Sequence, residues 1–247
     1  MPLNFRFKTL CFNWQLGLVL ILIFGIPRFI LVLEANRTAN YNLTSVIFLV
    51  MTVTPFILLT KKGRHAIGIG PVQNYRWLAG SFLLGASACG VIFLIGSALY
   101  QSSITNWFVY ISKSYGSIPA AELTGDSKWI YFLIFSLIGM TVSPIGEELL
   151  YRGLIHQSFV SKFGENMASV IDSMAFATVH LAHFGLIYSG GTLEFPAVPA
   201  LLWISLMYAS ARLFYYCKQK TGSINGAITS HAGFNFAMTY LIFFYIL

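Results

Sequence analysis

Three short motifs place ionisable and amide side chains inside stretches that are otherwise strongly apolar. They are Glu147-Glu148-x-x-x-Arg152, Phe176-x-x-x-His180 and His231-x-x-x-Asn235. Such groups are costly in lipid, and proteins usually keep them there for function. A carboxylate pair, an arginine, two imidazoles and an amide are enough for acid–base chemistry inside a bilayer.

The two adjacent glutamates of the first motif cannot share one role. Neighbouring residues on a helix point about 100° apart, so Glu147 and Glu148 face different surroundings. Glu148 and Arg152 are four residues apart, lie on one face and have the favoured acid-before-base order. We therefore predict that Arg152 pairs with Glu148 and leaves Glu147 as a candidate general base. The alternative is a structural salt bridge at a helix end, with Glu147 among the lipid headgroups.

The two histidine motifs predict polar side chains on separate helices. Phe176 lies one turn before His180 on the same face and could form the wall of a substrate site, whereas His183 shares much of that face and is an ambiguous second candidate. His231 and Asn235 project to one side of the last apolar segment. Taken singly, each motif could be a satisfied core histidine or an interhelical hydrogen bond. Their occurrence together favours one polar site.

The motifs lie in a chain with the composition of a membrane protein. Of the 247 residues, 57% are hydrophobic and 9% are charged, whereas soluble domains carry roughly 25% charged residues. The net charge of +7 is explained by basic residues in short loops, as the positive-inside rule requires, so we expect no nucleic-acid partner. Cys11, Cys89 and Cys217 form no CxxC pair, and we interpret them as packing residues.

Seven apolar segments are long enough to cross a membrane, which takes about 20 residues. They are residues 14–33, 42–60, 77–100, 129–160, 167–184, 198–217 and 225–247. The fourth would be about 48 Å long as one helix, so we predict a kink or break at Pro144. The predicted fold class is all-α: one polytopic transmembrane helical bundle of seven to eight spans around an intramembrane polar cavity.

Basic residues also predict how the bundle is oriented. With the N-terminus inside, eleven lysines and arginines fall in inner segments and four in outer ones, among them Arg28. We therefore predict an integral membrane protein with a cytoplasmic N-terminus, and short loops favour a prokaryotic plasma membrane. The first span follows Arg6 and Lys8 and is expected to stay uncleaved. This orientation puts Glu147 and His231 in the inner half, which favours access from the cytoplasm.

Two further features concern packing. The longest loop, residues 101–128, carries several aromatic residues among Ser and Gly and is predicted to lie in the membrane interface. The third span carries Gly80, Gly85, Gly90 and Gly96. Small residues let helices approach closely in lipid, so we expect this span to pack tightly against a neighbour.

In this order, the three motifs resemble the signature of the CPBP family, also named Abi, which contains type II CAAX prenyl endopeptidases and bacterial bacteriocin-processing and immunity proteins. The resemblance covers about residues 129–240, so residues 129–247 would be the catalytic core of a single 1–247 transmembrane domain, with N-terminal spans and loops in residues 1–128. It implies a helical intramembrane bundle enclosing a polar cavity. It also implies a glutamic-type endopeptidase without a protein nucleophile, cofactor or metal.

The resemblance further implies roles for four of the residues. Glu147 would activate a water for attack on a peptide carbonyl, and His180 would help to bind or polarise that water. Glu148 and Arg152 would hold the site together. Asp172 is an additional acid within the apolar run that the family pattern does not explain, and it could support His180 or lie at the inner interface.

The last motif would complete the site. By the same resemblance, His231 and Asn235 would stabilise the oxyanion of the tetrahedral intermediate, which fits the strength of preorganised donors where water is scarce. A zinc-dependent version would instead bind metal through Glu147, His180 and His231, although the HExxH pattern is absent from the sequence.

Other functions and several substrates stay open. The chain could be a non-catalytic bacteriocin-immunity or scaffold protein of the same fold, or a transporter with a polar site at the midplane. If it is a peptidase, the partner is a membrane-associated protein or peptide, with prenylated C-terminal peptides, bacteriocin leaders and the tails of sorted surface proteins all compatible.

Overall fold

The computed structural model describes residues 12–38 and 40–247, and most of these belong to helices. The principal helices are α1 (Trp14–Thr38), α2 (Asn42–Leu58), α3 (Lys61–Ala66), α4 (Arg76–Tyr100), α5 (Trp107–Ser112), α6 (Gly125–Glu148), α7 (His156–Val179), α8 (Ala197–Thr221) and α9 (Ile224–Tyr245). A π-helical segment, Leu149–Ile155, joins α6 to α7. Short 3₁₀ turns lie at Lys113–Tyr115, Ala120–Leu123 and His180–Ala182. The predicted charges Arg6 and Lys8, and Cys11, lie outside the described residues.

Long apolar helices confirm the predicted all-α membrane bundle. Four helical stretches of the described chain are long and apolar enough to cross a membrane: Trp14–Thr38, Arg76–Tyr100, Gly125–Ala182 and Ala197–Thr221. A shorter apolar helix covers Leu43–Leu58. The stretch Gly125–Ala182 contains a reversal of the chain, and α9 forms a further long helix, so each of the seven predicted apolar segments is helical.

Of the kink or break predicted at Pro144, the break is absent, and the chain changes geometry further on. Helix α6 continues through Pro144 to Glu148 and passes into the π-helical segment. The non-helical residue is Gly164, with φ 76° and ψ 167°. A proline removes only one backbone donor, and neighbouring helices can compensate for it. A glycine, in contrast, adopts positive φ without steric cost, so Gly164 is where the chain can turn back.

Close packing of α4 against α9 depends on individual glycines. A Cβ atom at Gly85 would overlap the backbone carbonyl of Ser230, and one at Gly233 would overlap that of Phe82. A Cβ atom at Gly90 would meet nothing within 4 Å. The prediction of tight packing is therefore confirmed for Gly85, while Gly90 has no such role. The described cysteines, Cys89 and Cys217, are buried and free, as expected of packing residues.

The aromatic residues of the long loop pack into the bundle. Trp107, Phe108 and Tyr110 of α5 are buried in the main hydrophobic core. The Trp107 indole N–H donates to the Pro199 carbonyl at 3.1 Å, and the Tyr110 hydroxyl accepts from the Tyr188 amide. That amide belongs to a two-stranded antiparallel hairpin, β1 (Ile187–Ser189) and β2 (Thr192–Glu194). Aromatic residues suit an interface and a core alike, and here they cover one end of the bundle.

Candidate active site

Glu147 lies in the last turn of α6, buried and facing the interior of the bundle. Its Oε1 accepts a hydrogen bond from the guanidinium of Arg28 at 2.8 Å. Its Oε2 has no hydrogen-bond partner among the described residues and lies 3.8 Å from Nε2 of His180. The alternative position among the lipid headgroups is therefore wrong. One oxygen of Glu147 is held by a cation and the other is free to accept.

Arg28 is the site residue that sequence reasoning missed. It lies in the middle of α1, is 1% exposed, and also contacts Nε2 of His180 at 3.3 Å and Nε2 of His183 at 3.4 Å. The sequence analysis counted it among outer-loop charges, and its burial corrects that assignment. A signal was present, because an arginine inside an apolar run must find an interior partner. Nothing local identifies Glu147, which is 119 positions away.

His180 is held in one orientation by the end of its own helix. Its Nδ1 is 2.7 Å from the Phe176 carbonyl, which can only accept, so Nδ1 carries the proton. Nε2 is then an acceptor facing Arg28 and Glu147, which fits the approach of the arginine N–H. The ring also stacks on Phe176, with centroids 4.1 Å apart, and on His183 at 5.3 Å. His183 thus belongs to the same cluster.

A second buried pair lies beside the first. Nδ1 of His231 is 2.8 Å from Oε1 of Glu148, so the ring donates to the carboxylate. The ion pair predicted from the spacing of Glu148 and Arg152 is present at 3.3 Å, with both side chains fully buried. The Arg152 guanidinium lies over the Phe176 ring, 4.2 Å from its centre. Glu148 therefore orients His231, while Phe176 separates Arg152 from the histidine cluster.

Asp172 does not support His180, which was one of the two roles considered for it. Its carboxylate accepts from His156 Nδ1 at 2.7 Å and lies 3.7 Å from Arg152. The other nitrogen of His156 lies 2.8 Å from Glu165, whose side chain is 60% exposed. This chain of charged groups runs from Arg152 to the surface. It connects Asp172 with the Glu148 side of the site, away from His180.

Asn235 reaches the site but is already engaged there. Its Nδ2 donates to the Gly139 carbonyl at 2.8 Å and lies 3.3 Å from the Ser143 hydroxyl. Both partners belong to α6, two turns and one turn before Glu147. Both N–H groups of the amide therefore tie α9 to α6, and the one that donates to Ser143 makes the longer hydrogen bond.

These side chains surround a cavity of about 310 Å³. Its lining includes Arg28, Glu147, Phe176, His180, His183, His231 and Asn235, whereas Glu148 and Arg152 lie behind the wall. Met207, Trp203 and Phe214 of α8 and Phe48 of α2 add apolar surface. The fold thus supplies the predicted intramembrane cavity, with charged and imidazole side chains at one end and apolar side chains along its sides.

The predicted zinc trio is not assembled as a metal site. Among residues 12–38 and 40–247, no three His, Cys, Asp or Glu side chains are grouped to hold a metal ion. His231 is bonded to Glu148, and the guanidinium of Arg28 occupies the space between Glu147, His180 and His183. A cation is therefore already present where zinc would have to bind.

Part of this chain matches a known protein family. Residues 129–237 match a family described as Rce1-like, type II CAAX prenyl endopeptidase. An uncharacterized protein of Mycoplasma capricolum subsp. capricolum (strain California kid) is 23% identical over 155 residues, which cover 62% of this chain and 41% of that protein. The chain thus spans about two fifths of the length of this curated relative. No solved structure matches. The matched segment contains all seven predicted site residues, while Arg28 lies outside it.

Proposed function

We propose, from the match of residues 129–237 to the Rce1-like family of type II CAAX prenyl endopeptidases, that this chain is an intramembrane peptidase of the glutamic type. It would hydrolyse a peptide bond in a membrane-associated protein or peptide, with a prenylated peptide among the candidate substrates. A prokaryotic plasma membrane is the proposed location, supported by the short loops and by the bacterial origin of the relative.

One observation carries this proposal: two hydrogen-bond acceptors face each other in the cavity. Oε2 of Glu147 is unpartnered among the described residues, and Nε2 of His180 lies 3.8 Å away with its lone pair toward the same space. A water molecule can donate one hydrogen to Oε2 of Glu147 and the other to Nε2 of His180, where it would replace the Arg28 N–H, and keep its own lone pair for attack. Glu147 would take the proton as the peptide carbonyl is attacked.

Arg28 and His180 would prepare Glu147 for this step. The guanidinium donates to Oε1 and so fixes the orientation of the carboxylate, with Oε2 left to accept from water. His180 cannot compete as a donor, because its proton is engaged by the Phe176 carbonyl. The proton taken by Glu147 would then pass to the leaving amine, so that the same carboxylate serves as base and acid.

His231 and Asn235 would act on the carbonyl oxygen. Since Nδ1 of His231 donates to Glu148, the ring would stabilise an oxyanion through Nε2, when that nitrogen carries a proton. The N–H of Asn235 that donates to Ser143 would donate to the same oxygen once the Ser143 hydroxyl moves aside. Such donors act strongly in a water-poor cavity.

The test compares protein termini in membrane fractions of the native host, with the wild-type chain and with Glu147→Gln. The substitution keeps size and hydrogen bonding but removes the base, so a small set of cleavage products should vanish while the variant still inserts. Glu194→Gln is the matched control, because that side chain is exposed on β2. Unchanged products with Glu147→Gln would refute the mechanism, and identical termini in all strains, including one without the protein, would favour an immunity or scaffold role.

A further inference from the structure

We infer that the cavity opens on the non-cytoplasmic face of the membrane, so that the substrate is an exported or membrane-anchored polypeptide presented from that side. The claim that the cavity binds a substrate rests on the proposed peptidase function. The direction of opening rests on the cavity and the charges alone. It reverses the cytoplasmic access that the position of Glu147 along the chain suggests.

The residues that line the cavity show at which end of the bundle it opens. Beyond the cluster around Glu147, the cavity is bounded by Asn36, Tyr41, Thr44, Ile111, Ser114 and Tyr115. All six lie at one end of the bundle, where α1 gives way to α2 and where α5 covers α9; we name this the α1–α2 end. Asn36, Tyr41 and Ser114 are partly exposed, as expected at a mouth.

The opposite end of the bundle is closed. It contains α3, the turn at Gly164 and the junction between α8 and α9, and none of the described residues of these parts lines the cavity. Behind Glu147, Leu150, Tyr151 and Arg152 are completely buried. The ammonium of Lys218 donates to the Arg152 carbonyl at 2.6 Å and seals the backbone there. A peptide therefore has no path to Glu147 from this end.

The two ends of the bundle differ in the number of basic residues they carry. The closed end carries most of the basic residues outside the bundle interior: Lys61, Lys62, Arg64, Arg76, Lys162 and Lys220. The α1–α2 end carries three, Arg37, Lys113 and Lys128. Arg28 no longer counts as a loop charge, because it is buried against Glu147. The positive-inside rule assigns the closed, basic end to the cytoplasm, which leaves the mouth on the other face.

The shape of the cavity further limits the substrate. Asn36 lies eight residues after Arg28 on α1, which is about 12 Å along a helix. An extended chain covers about 3.3 Å per residue, so roughly four residues must enter before the scissile bond reaches Glu147. Val32, Phe48, Phe135 and Met238 line this path. The cavity thus suits an extended, predominantly apolar segment.

The test is accessibility to a membrane-impermeant maleimide in bacterial cells that produce the full chain. All variants carry Cys11→Ser, since Cys89 and Cys217 are completely buried. Ser114→Cys reports the mouth, Met238→Cys the cavity wall, and Lys62→Cys the basic end. We expect Ser114→Cys and Met238→Cys to react in intact cells, and Lys62→Cys to react only in inverted vesicles.

Several results would overturn the inference. One is labelling of Ser114→Cys only in inverted vesicles; Ser102→Cys, exposed at the same end and outside the cavity lining, repeats this test if Ser114→Cys fails to fold. Another is failure of Met238→Cys to react from the Ser114 side when the detergent-unfolded protein does react. Labelling requires no catalysis, so a chain without peptidase activity gives the same readings. Failure of the proposed function therefore shows only in the comparison of termini.

Discussion

At the scale of single residues, the arrangement around Glu147 makes Arg28 the most informative side chain to change. We expect Arg28→Gln to lower the rate of substrate cleavage about 10- to 100-fold. Hydrogen bonds to charged groups contribute about 1.5–3 kcal/mol, which corresponds to this range in rate. The loss arises because Glu147 would lie buried without the charged hydrogen-bond donor that orients it. Cleavage assays on folded, detergent-purified protein would measure it.

Arg28→Lys tests whether Glu147 needs the positive charge at position 28 or only a side chain that fills the same space. Lysine keeps the positive charge but offers a compact ammonium in place of the planar fork, so it should restore part of the activity lost in Arg28→Gln. Full activity of Arg28→Gln would show that Glu147 needs no cationic partner. In that case the interaction at 2.8 Å would be structural only.

Contacts between side chains of one helix could be predicted from the sequence, whereas contacts between helices could not. Spacings of four residues within one helix bring side chains together by geometry, so the pair Glu148 and Arg152 and the stacking of Phe176 on His180 followed from local pattern. Arg28 did not, because its partner lies on another helix. An apolar segment shows that an interior arginine must be paired, but the pairing itself is a property of the folded bundle.

At the scale of elements, the π-helical segment between α6 and α7 holds a buried ionic network whose loss should be costly. We expect Arg152→Ala to destabilise the protein by about 3–5 kcal/mol, the usual cost of leaving buried charge uncompensated. Glu148 and Asp172 would both lose their neighbouring cation. Thermal unfolding in detergent would show a lower midpoint together with reduced activity.

Arg37→Ala is the matched control for that prediction. Arg37 and Glu34 form an ion pair within one helix, but both side chains are more than half exposed. Solvent screens such pairs, so the control variant should unfold like wild type. If Arg152→Ala also unfolded like wild type, Glu148 and Asp172 would have to be solvated or neutral, and the argument for the network would be wrong.

Helix α4 provides a second prediction at this scale, because two of its glycines differ only in what they face. Gly85→Ala should destabilise by about 1–3 kcal/mol, the range for overpacking, since the new Cβ meets the Ser230 backbone, which cannot rotate away. Gly90→Ala should be neutral or stabilising, because no atom lies within 4 Å and alanine favours a helix. Equal midpoints for the two variants would contradict the close approach of α4 and α9.

The sequence pattern predicted the positions of the helices better than the turns between them and the burial of their side chains. Apolar length identified each of the seven segments, because lipid forces backbone groups to pair within a helix. The turn at Gly164 and the burial of α5 escaped prediction. A proline is an obvious candidate for a break, whereas a glycine marks many places at which no break occurs. The aromatic loop was ambiguous because the same side chains suit the interface and the core.

At the scale of the whole molecule, the site is assembled from parts that lie far apart in the chain. The matched family segment contributes Glu147, His180 and His231, while α1 adds Arg28 and the start of α2 adds part of the mouth. An N-terminal span thus supplies the counterion of the proposed base. Residues 1–128 are therefore more than a membrane anchor for the segment that carries the three motifs.

This arrangement leads to a prediction about metal. We expect activity to survive strong chelators such as EDTA and 1,10-phenanthroline, because the guanidinium of Arg28 already supplies positive charge between Glu147, His180 and His183. A divalent ion placed beside that group would be repelled, and His231 is directed to Glu148. The measurement is the cleavage rate after dialysis against chelator, with and without added Zn²⁺. Loss of activity that Zn²⁺ restores would mean that Arg28 moves aside in the working enzyme and that the zinc-dependent mechanism is correct.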